Sequence, residues 1–212
     1  MALAIVAAAL GWRRSALVVA ALSIAVLLFF RIPTRRSGAA NGLVLAPANG
    51  VITKIDTVEE GSLGEKPSRR VVTFLSVFNI HVQRSPVSGE VVESLYTPGR
   101  KVAAFREDAG EVNENHWTVV EDEEGRRFGI RQIAGLLARR VVSYTEVGDD
   151  LERGELMGVI KFGSRVDLYV PGDYRLEVTE GQKLVEGETV VASPPTPEAG
   201  NPEETDAQET DA

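Results

Sequence analysis

The chain of 212 residues has no cysteine and only two histidines, His81 and His116. The first absence excludes disulfides, zinc–thiolate sites and cysteine nucleophiles. The second argues against a multi-histidine metal centre, and no metal is expected. Positive charge is also in short supply, with a formal net charge of −8. No nucleic-acid partner is expected, because phosphate binding calls for a basic surface. The length suits one domain with a real core plus an appendage, and does not demand two domains.

What is present divides the chain into three. Residues 1–36 read as a membrane anchor: Ala2 to Trp12 and Ser15 to Phe30 are apolar, separated by Arg13 and Arg14 and closed by Arg31. The second run would be about 24 Å long as a helix, slightly short for a hydrocarbon core of ~30 Å, and flanking arginines can snorkel to relieve the shortfall. A single spanning helix and a shallow hairpin both satisfy this pattern. Residues 37–192 are rich in short β-type runs, among them 50–55, 71–75, 91–95, 118–120 and 166–170, punctuated by Gly, Pro, Asn and Asp. The best helical stretch there is Ile133 to Arg140. Residues 193–212 are acidic and proline-rich without bulky apolar side chains, the composition of a disordered tail.

Two repeats refine the β domain. Pro47-Ala48-Asn49-Gly50-Val51-Ile52 recurs as Pro86-Val87-Ser88-Gly89-Glu90-Val91-Val92. The stretch from Val147 to Glu155 is echoed from Glu180 to Glu188, each with Gly, Leu three residues later, and Gly-Glu after two more. Such units predict hairpins with glycines in tight turns and the leucine facing inward. The expected fold is mainly β, a barrel-sandwich-like domain of glycine-turn hairpins with few short helices, preceded by an N-terminal membrane helix or hairpin. Paired hairpins of this kind resemble biotinyl and lipoyl domains. A non-catalytic, membrane-anchored carrier or adaptor is therefore the alternative reading. It lacks a lysine placed at a hairpin tip for modification and a long heptad-patterned helical insertion.

The stretch Met157 to Asp167, with Phe162-Gly163-Ser164 at its centre, closely resembles the processing site of the phosphatidylserine decarboxylase family in its short membrane-anchored form. The resemblance extends in order from about Phe29 to Ala192. It includes Ala46-Pro47-Ala48-Asn49-Gly50, Phe78-Asn79-Ile80-His81-Val82-Gln83-Arg84-Ser85-Pro86, Asn113-Glu114-Asn115 and the run Gln132 to Arg140. Several motifs in the right order carry far more weight than a lone Gly-Ser, which by itself is a turn.

The resemblance implies a proenzyme that cuts itself between Gly163 and Ser164 and turns Ser164 into a pyruvoyl cofactor. Removing CO₂ from an amino acid leaves a carbanion that needs an electron sink, and no ordinary side chain provides one. The pyruvoyl ketone would take the amine of a serine-headgroup phospholipid as a Schiff base, with His81 as acid/base. The substrate is phosphatidylserine or an ether-lipid analogue, and the product phosphatidylethanolamine. Fragments 1–163 and 164–212 are expected to remain together as a heterodimer. The expected location is the cell membrane, with the catalytic domain on the cytoplasmic face. Arg84 and Arg165 are candidate substrate-binding residues, since guanidinium forks suit phosphate and carboxylate, and Arg139 and Arg140 share that chemistry. His116 reads as a surface or packing residue. Asn49 is the candidate for assisting maturation. It stands where the family commonly has Asp, and Asn79 likewise. Asparagine orients a neighbour by hydrogen bonding but cannot stabilise an imidazolium by charge.

Overall fold

The computed structural model describes residues 1–9, 11–29, 31–35, 40, 42–59, 63–64, 67–104, 106, 108–136, 140–160 and 164–195. The fold is mainly β, with a curled half-barrel sheet and few short helices. That sheet has eight antiparallel strands. In spatial order they are β13 (Lys183–Leu184), β2 (Gly50–Val58), β3 (Ser68–Leu75), β11 (Ser164–Pro171), β7 (Arg127–Ile133), β6 (Asn115–Glu121), β5 (Gly89–Thr97) and β9 (Asp150–Leu151). One three-stranded sheet joins β4 (Val82–Arg84), β10 (Leu156–Ile160) and β8 (Val141–Ser143). Another joins β1 (Val44–Leu45), β14 (Val190–Ser193) and β12 (Arg175–Leu176).

Strand β11 shows why the large sheet forms. Its residues alternate with period two: Val166, Leu168 and Val170 enter the main core, where they meet Ile130 and Phe128 of β7 and Met157 and Ile160 of β10. Its other face carries Arg165, Asp167 and Tyr169. There Tyr169 meets Trp117 edge-on at 5.1 Å, and the Arg131 guanidinium lies 5.0 Å from the Trp117 ring centroid. Both faces of β11 are thus covered, as a central strand requires.

The two sequence repeats fold as equivalent halves. In one, Gly181 donates to the Ile52 carbonyl and Gly187 to that of Ala46; in the other, Gly148 donates to Val91 and Gly154 to Ser85. All four glycines have positive φ, between 69° and 93°, where a side chain would be strained. Leu151 and Leu184 are both buried in the core, as the pattern predicts. The halves are laced together by Leu45 donating to Pro86 and Arg84 donating to Pro47.

One helix expectation fails. Ile133 ends β7, paired with Asn115 and Arg165, and 134–136 are not helical. Cross-strand pairing and full burial of Ile133 outweigh the local helical pattern. The rest of the stretch, 137–139, lies outside the described residues. A short helix not expected from the sequence, α3 (Ala109–Val112), packs on β7 instead. At the N-terminus α1 (Ala2–Ala9) packs against α2 (Arg13–Phe29). Among the described residues no helix is long and apolar enough to cross a membrane. The tail beyond residue 195 lies outside the described residues.

Candidate active site

Ser164 is the first residue of β11 and sits opposite Leu75, the last residue of β3. By strand alternation it shares the core-facing side with Val166, and it is wholly buried. Its Oγ has no hydrogen-bond partner among the described residues. Leaving a buried hydroxyl unsatisfied costs about 1–3 kcal/mol, and a native structure keeps such a group only with a reason. Gly163, the other half of the expected cleavage site, lies outside the described residues with Lys161 and Phe162.

His81 is held at the sheet of β4, β10 and β8. It immediately precedes β4, and its carbonyl accepts the N–H of Ile160, the last residue of β10, at 3.0 Å. Ile160 is thus held at His81, and Ser164 follows four residues later in the chain. The imidazole is buried, and its Nδ1 lies 2.9 Å from the Asn79 carbonyl oxygen. A carbonyl only accepts, so Nδ1 carries the proton and Nε2 the lone pair in the neutral ring. Burial pushes the imidazole pKa below its usual 6.5, against the opposing pull of the Asn79 carbonyl. Both effects of position, tautomer and low pKa, suit a neutral base.

Asn79 has a second task. Its Oδ1 accepts from the N–H and the hydroxyl of Ser76, both at 2.8 Å, closing the turn that leaves β3. The side chain fixes the turn and the main chain fixes the ring. Asn49 lies in the bend before β2, buried, with Nδ2 lacking a partner among the described residues. Gly50, which follows it, sits so close to β3 that a Cβ would stand 2.3 Å from the Phe74 carbonyl oxygen. Val51 pairs with Phe74 and Ser164 with Leu75, so Asn49 and Ser164 flank the same end of β3.

The arginines are placed differently. Arg84 donates to the carbonyls of Gly154 at 2.8 Å and Pro33 at 2.7 Å, tying the segment after α2 to the β domain. Arg165 forms a two-pronged ion pair with Asp167, at 2.6 and 2.7 Å, on the sheet face opposite Ser164. Burial pushes the Asp167 carboxyl pKa up despite Arg165 beside it. Both guanidinium groups are thus engaged in internal contacts. Arg140 is exposed, while Arg139 lies outside the described residues. His116 is a packing residue in β6: it is buried, and its Nε2 lies 3.0 Å from the Ser94 hydroxyl, which donates to the Thr145 carbonyl.

Sequence reasoning passed over three groups near the site. Gln83 and Gln132 are fully buried, although both occur in motifs quoted above. Glu114 anchors the ends of the segment between β7 and β8, its carbonyl accepting from Ala134 and its carboxylate from Val141. Polar residues in otherwise apolar strands were the available signal.

A family model for phosphatidylserine decarboxylase matches residues 22–192. A protein of Solidesulfovibrio magneticus named phosphatidylserine decarboxylase proenzyme is 48% identical over 165 residues, covering 77% of this chain and 76% of its own length. One of the same name from Symbiobacterium thermophilum is 40% identical over 195 residues, covering 92% and 90%. Another, from Rhodococcus erythropolis, is 45% identical over 186 residues, covering 86% and 77%. A match over most of the chain, with relatives up to 48% identical, places this chain in the phosphatidylserine decarboxylase family.

Proposed function

We propose that the chain is the proenzyme of a pyruvoyl-dependent decarboxylase that converts phosphatidylserine, or an ether lipid with the same headgroup, to the ethanolamine product. The observation that carries this reading is the buried Ser164 hydroxyl, unpartnered among the described residues at the mouth of β11. In maturation His81 Nε2 takes the hydroxyl proton while Oγ attacks the Gly163 carbonyl. The amide becomes an ester as the nitrogen leaves; elimination across Cα–Cβ of residue 164 then frees the carboxylate of Gly163. Water replaces the remaining nitrogen, which departs as ammonia, and a ketone is left at position 164.

Ser164 and His81 fit such a group: a carbonyl needs no donor to be stable, and Ser164 Oγ has none among the described residues. A pyruvoyl group there supplies the electron sink for the charge that CO₂ leaves behind. His81, neutral at rest, would first take a proton at Nε2 from the substrate ammonium and then return it to the substrate carbon. The heterodimer of 1–163 and 164–212 is supported by the strand order. Within the second fragment β11 is inserted between β3 and β7, β13 pairs with β2, and β14 pairs with β1. The family match offers no support for a non-catalytic carrier or adaptor.

The membrane is the proposed location, with the β domain on the cytoplasmic side. In support, α1 and α2 expose Leu3, Ile5, Leu17, Leu22 and Leu27 to their surroundings. Such a surface suits lipid better than water.

The test is the full chain and its Ser164→Ala variant, compared on denaturing and native gels with intact mass. The wild type should yield two fragments split after Gly163, the smaller blocked to N-terminal sequencing, that migrate together when native. Ser164→Ala should remain whole and release no CO₂ from phosphatidylserine. Decarboxylation by the Ser164→Ala variant would sink the reading.

A further inference from the structure

Ser164 and His81 belong to different sheets. Ser164 opens β11 of the eight-stranded sheet, whereas His81 leads into β4 of a three-stranded one. In the uncut chain residues 161–163 join Ser164 covalently to Ile160, whose N–H is held by the His81 carbonyl. Cleavage after Gly163 removes that tie at the moment the site must begin turning over substrate.

A buried line of amides bridges the same gap. Gln132 of β7, in register with Val166 of β11, donates from Nε2 to Oε1 of Gln83 in β4 at 2.7 Å. Gln83 Nε2 then donates to the His81 carbonyl at 2.8 Å. With the Ile160 N–H on the same oxygen, that carbonyl has two donors for its two lone pairs. Gly158 of β10 makes the room: a Cβ there would stand 2.7 Å from Gln132 Nε2. Apolar side chains of similar volume would bind the sheets without the desolvation cost of two primary amides. A hydrogen bond offers what apolar packing does not, a defined length and direction.

We propose that Gln83 and Gln132 are positioning residues for decarboxylation, holding His81 in register with residue 164 once self-cleavage has cut the covalent tie. The proposal rests on the proenzyme reading above. It separates the two reactions of one site. Self-cleavage acts while Ile160 and Ser164 are still joined through the chain, and turnover has the glutamine line.

The test uses the full chain with Gln83→Met, which keeps length and burial but loses both bonds, and Gln132→Met, which loses only the bond between sheets. Cleavage is followed on denaturing gels, kcat and KM on phosphatidylserine in mixed micelles, and unfolding by heat. Both variants should cleave to completion. Their kcat should fall about tenfold or more with KM unchanged, the scale expected when a reacting group is misplaced by a fraction of an ångström to an ångström. Gln83→Met should be the more affected. Wild-type kcat in Gln83→Met, a loss expressed as raised KM, a loss that vanishes at equal distance below each melting point, or failure of both variants to cleave would each overturn it. A wild-type chain that stays intact sinks the proenzyme reading and this proposal together. A wild type that cleaves beside a fully active Gln83→Met sinks only this one.

Discussion

The Asn79 carbonyl accepts from Nδ1 of His81 at 2.9 Å, two residues away in the chain, and leaves Nε2 as the basic nitrogen of a buried ring. In many acid/base sites a carboxylate holds this position and stabilises the charged imidazole. A carbonyl fixes the tautomer with no negative charge, and burial favours the neutral form.

The pH dependence of maturation follows from this. Because burial lowers the His81 pKa from 6.5, the neutral base persists as the medium becomes more acidic. The acid limb of the self-cleavage rate, measured on gels between pH 4 and 8 in roughly half-unit steps, should have its midpoint below 6.5. A midpoint at or above that value would mean a solvated imidazole. Stability should move in the opposite sense to this persistence. His81 and His116 both have depressed folded values through burial, so the unfolded chain takes up protons first. Their contribution is present above about pH 6.5 and lost as pH falls through the lower folded values.

Asn49→Asp should leave maturation as fast as in the wild type or faster. The Asn49 Nδ2 has no partner among the described residues, so exchanging the amide for a carboxylate sacrifices no bond seen there. The carboxylate adds charge that can stabilise an imidazolium at this end of the sheet. Time courses of cleavage for both proteins decide it; a marked slowing in the variant would show that the amide itself is needed.

Arg165→Met should destabilise the fold by about 3–5 kcal/mol, because Asp167 would be left buried without its cation. Thermal or urea unfolding measures this loss. The double variant Arg165→Met, Asp167→Leu should recover most of it, since two apolar side chains can replace a buried ion pair at little cost. If Arg165 instead binds the lipid headgroup, the double variant will fold well yet show a raised KM.

Much of the architecture was open to local reading. Runs of Val, Ile, Thr and Phe marked β2, β3, β5, β6 and β11, and the spacing Gly-x-x-Leu-x-x-Gly marked two pairs of glycine turns whose leucines are indeed buried, although β9 and β13 pair with the distant β5 and β2 rather than forming the expected hairpins. These features depend on period and on backbone freedom at glycine, which neighbouring residues suffice to express. Ile133 was misread because its partners, Asn115 and Arg165, lie 18 and 32 residues away.

By itself the sequence determined the family, the dipeptide Gly163-Ser164 and the histidine to consider with it, since each is written as a contiguous motif. The tertiary structure alone decided the surroundings of these residues. It buries the Ser164 hydroxyl at the mouth of β11, sets the His81 tautomer through a main-chain carbonyl, and turns Arg165 onto Asp167 across the sheet from Ser164. It also brings Gln132 to Gln83 across 49 residues. The physical reason is the same in each case. Desolvation and hydrogen-bond direction depend on what other segments place around a group, and those segments are joined by strand pairing far from it in the chain.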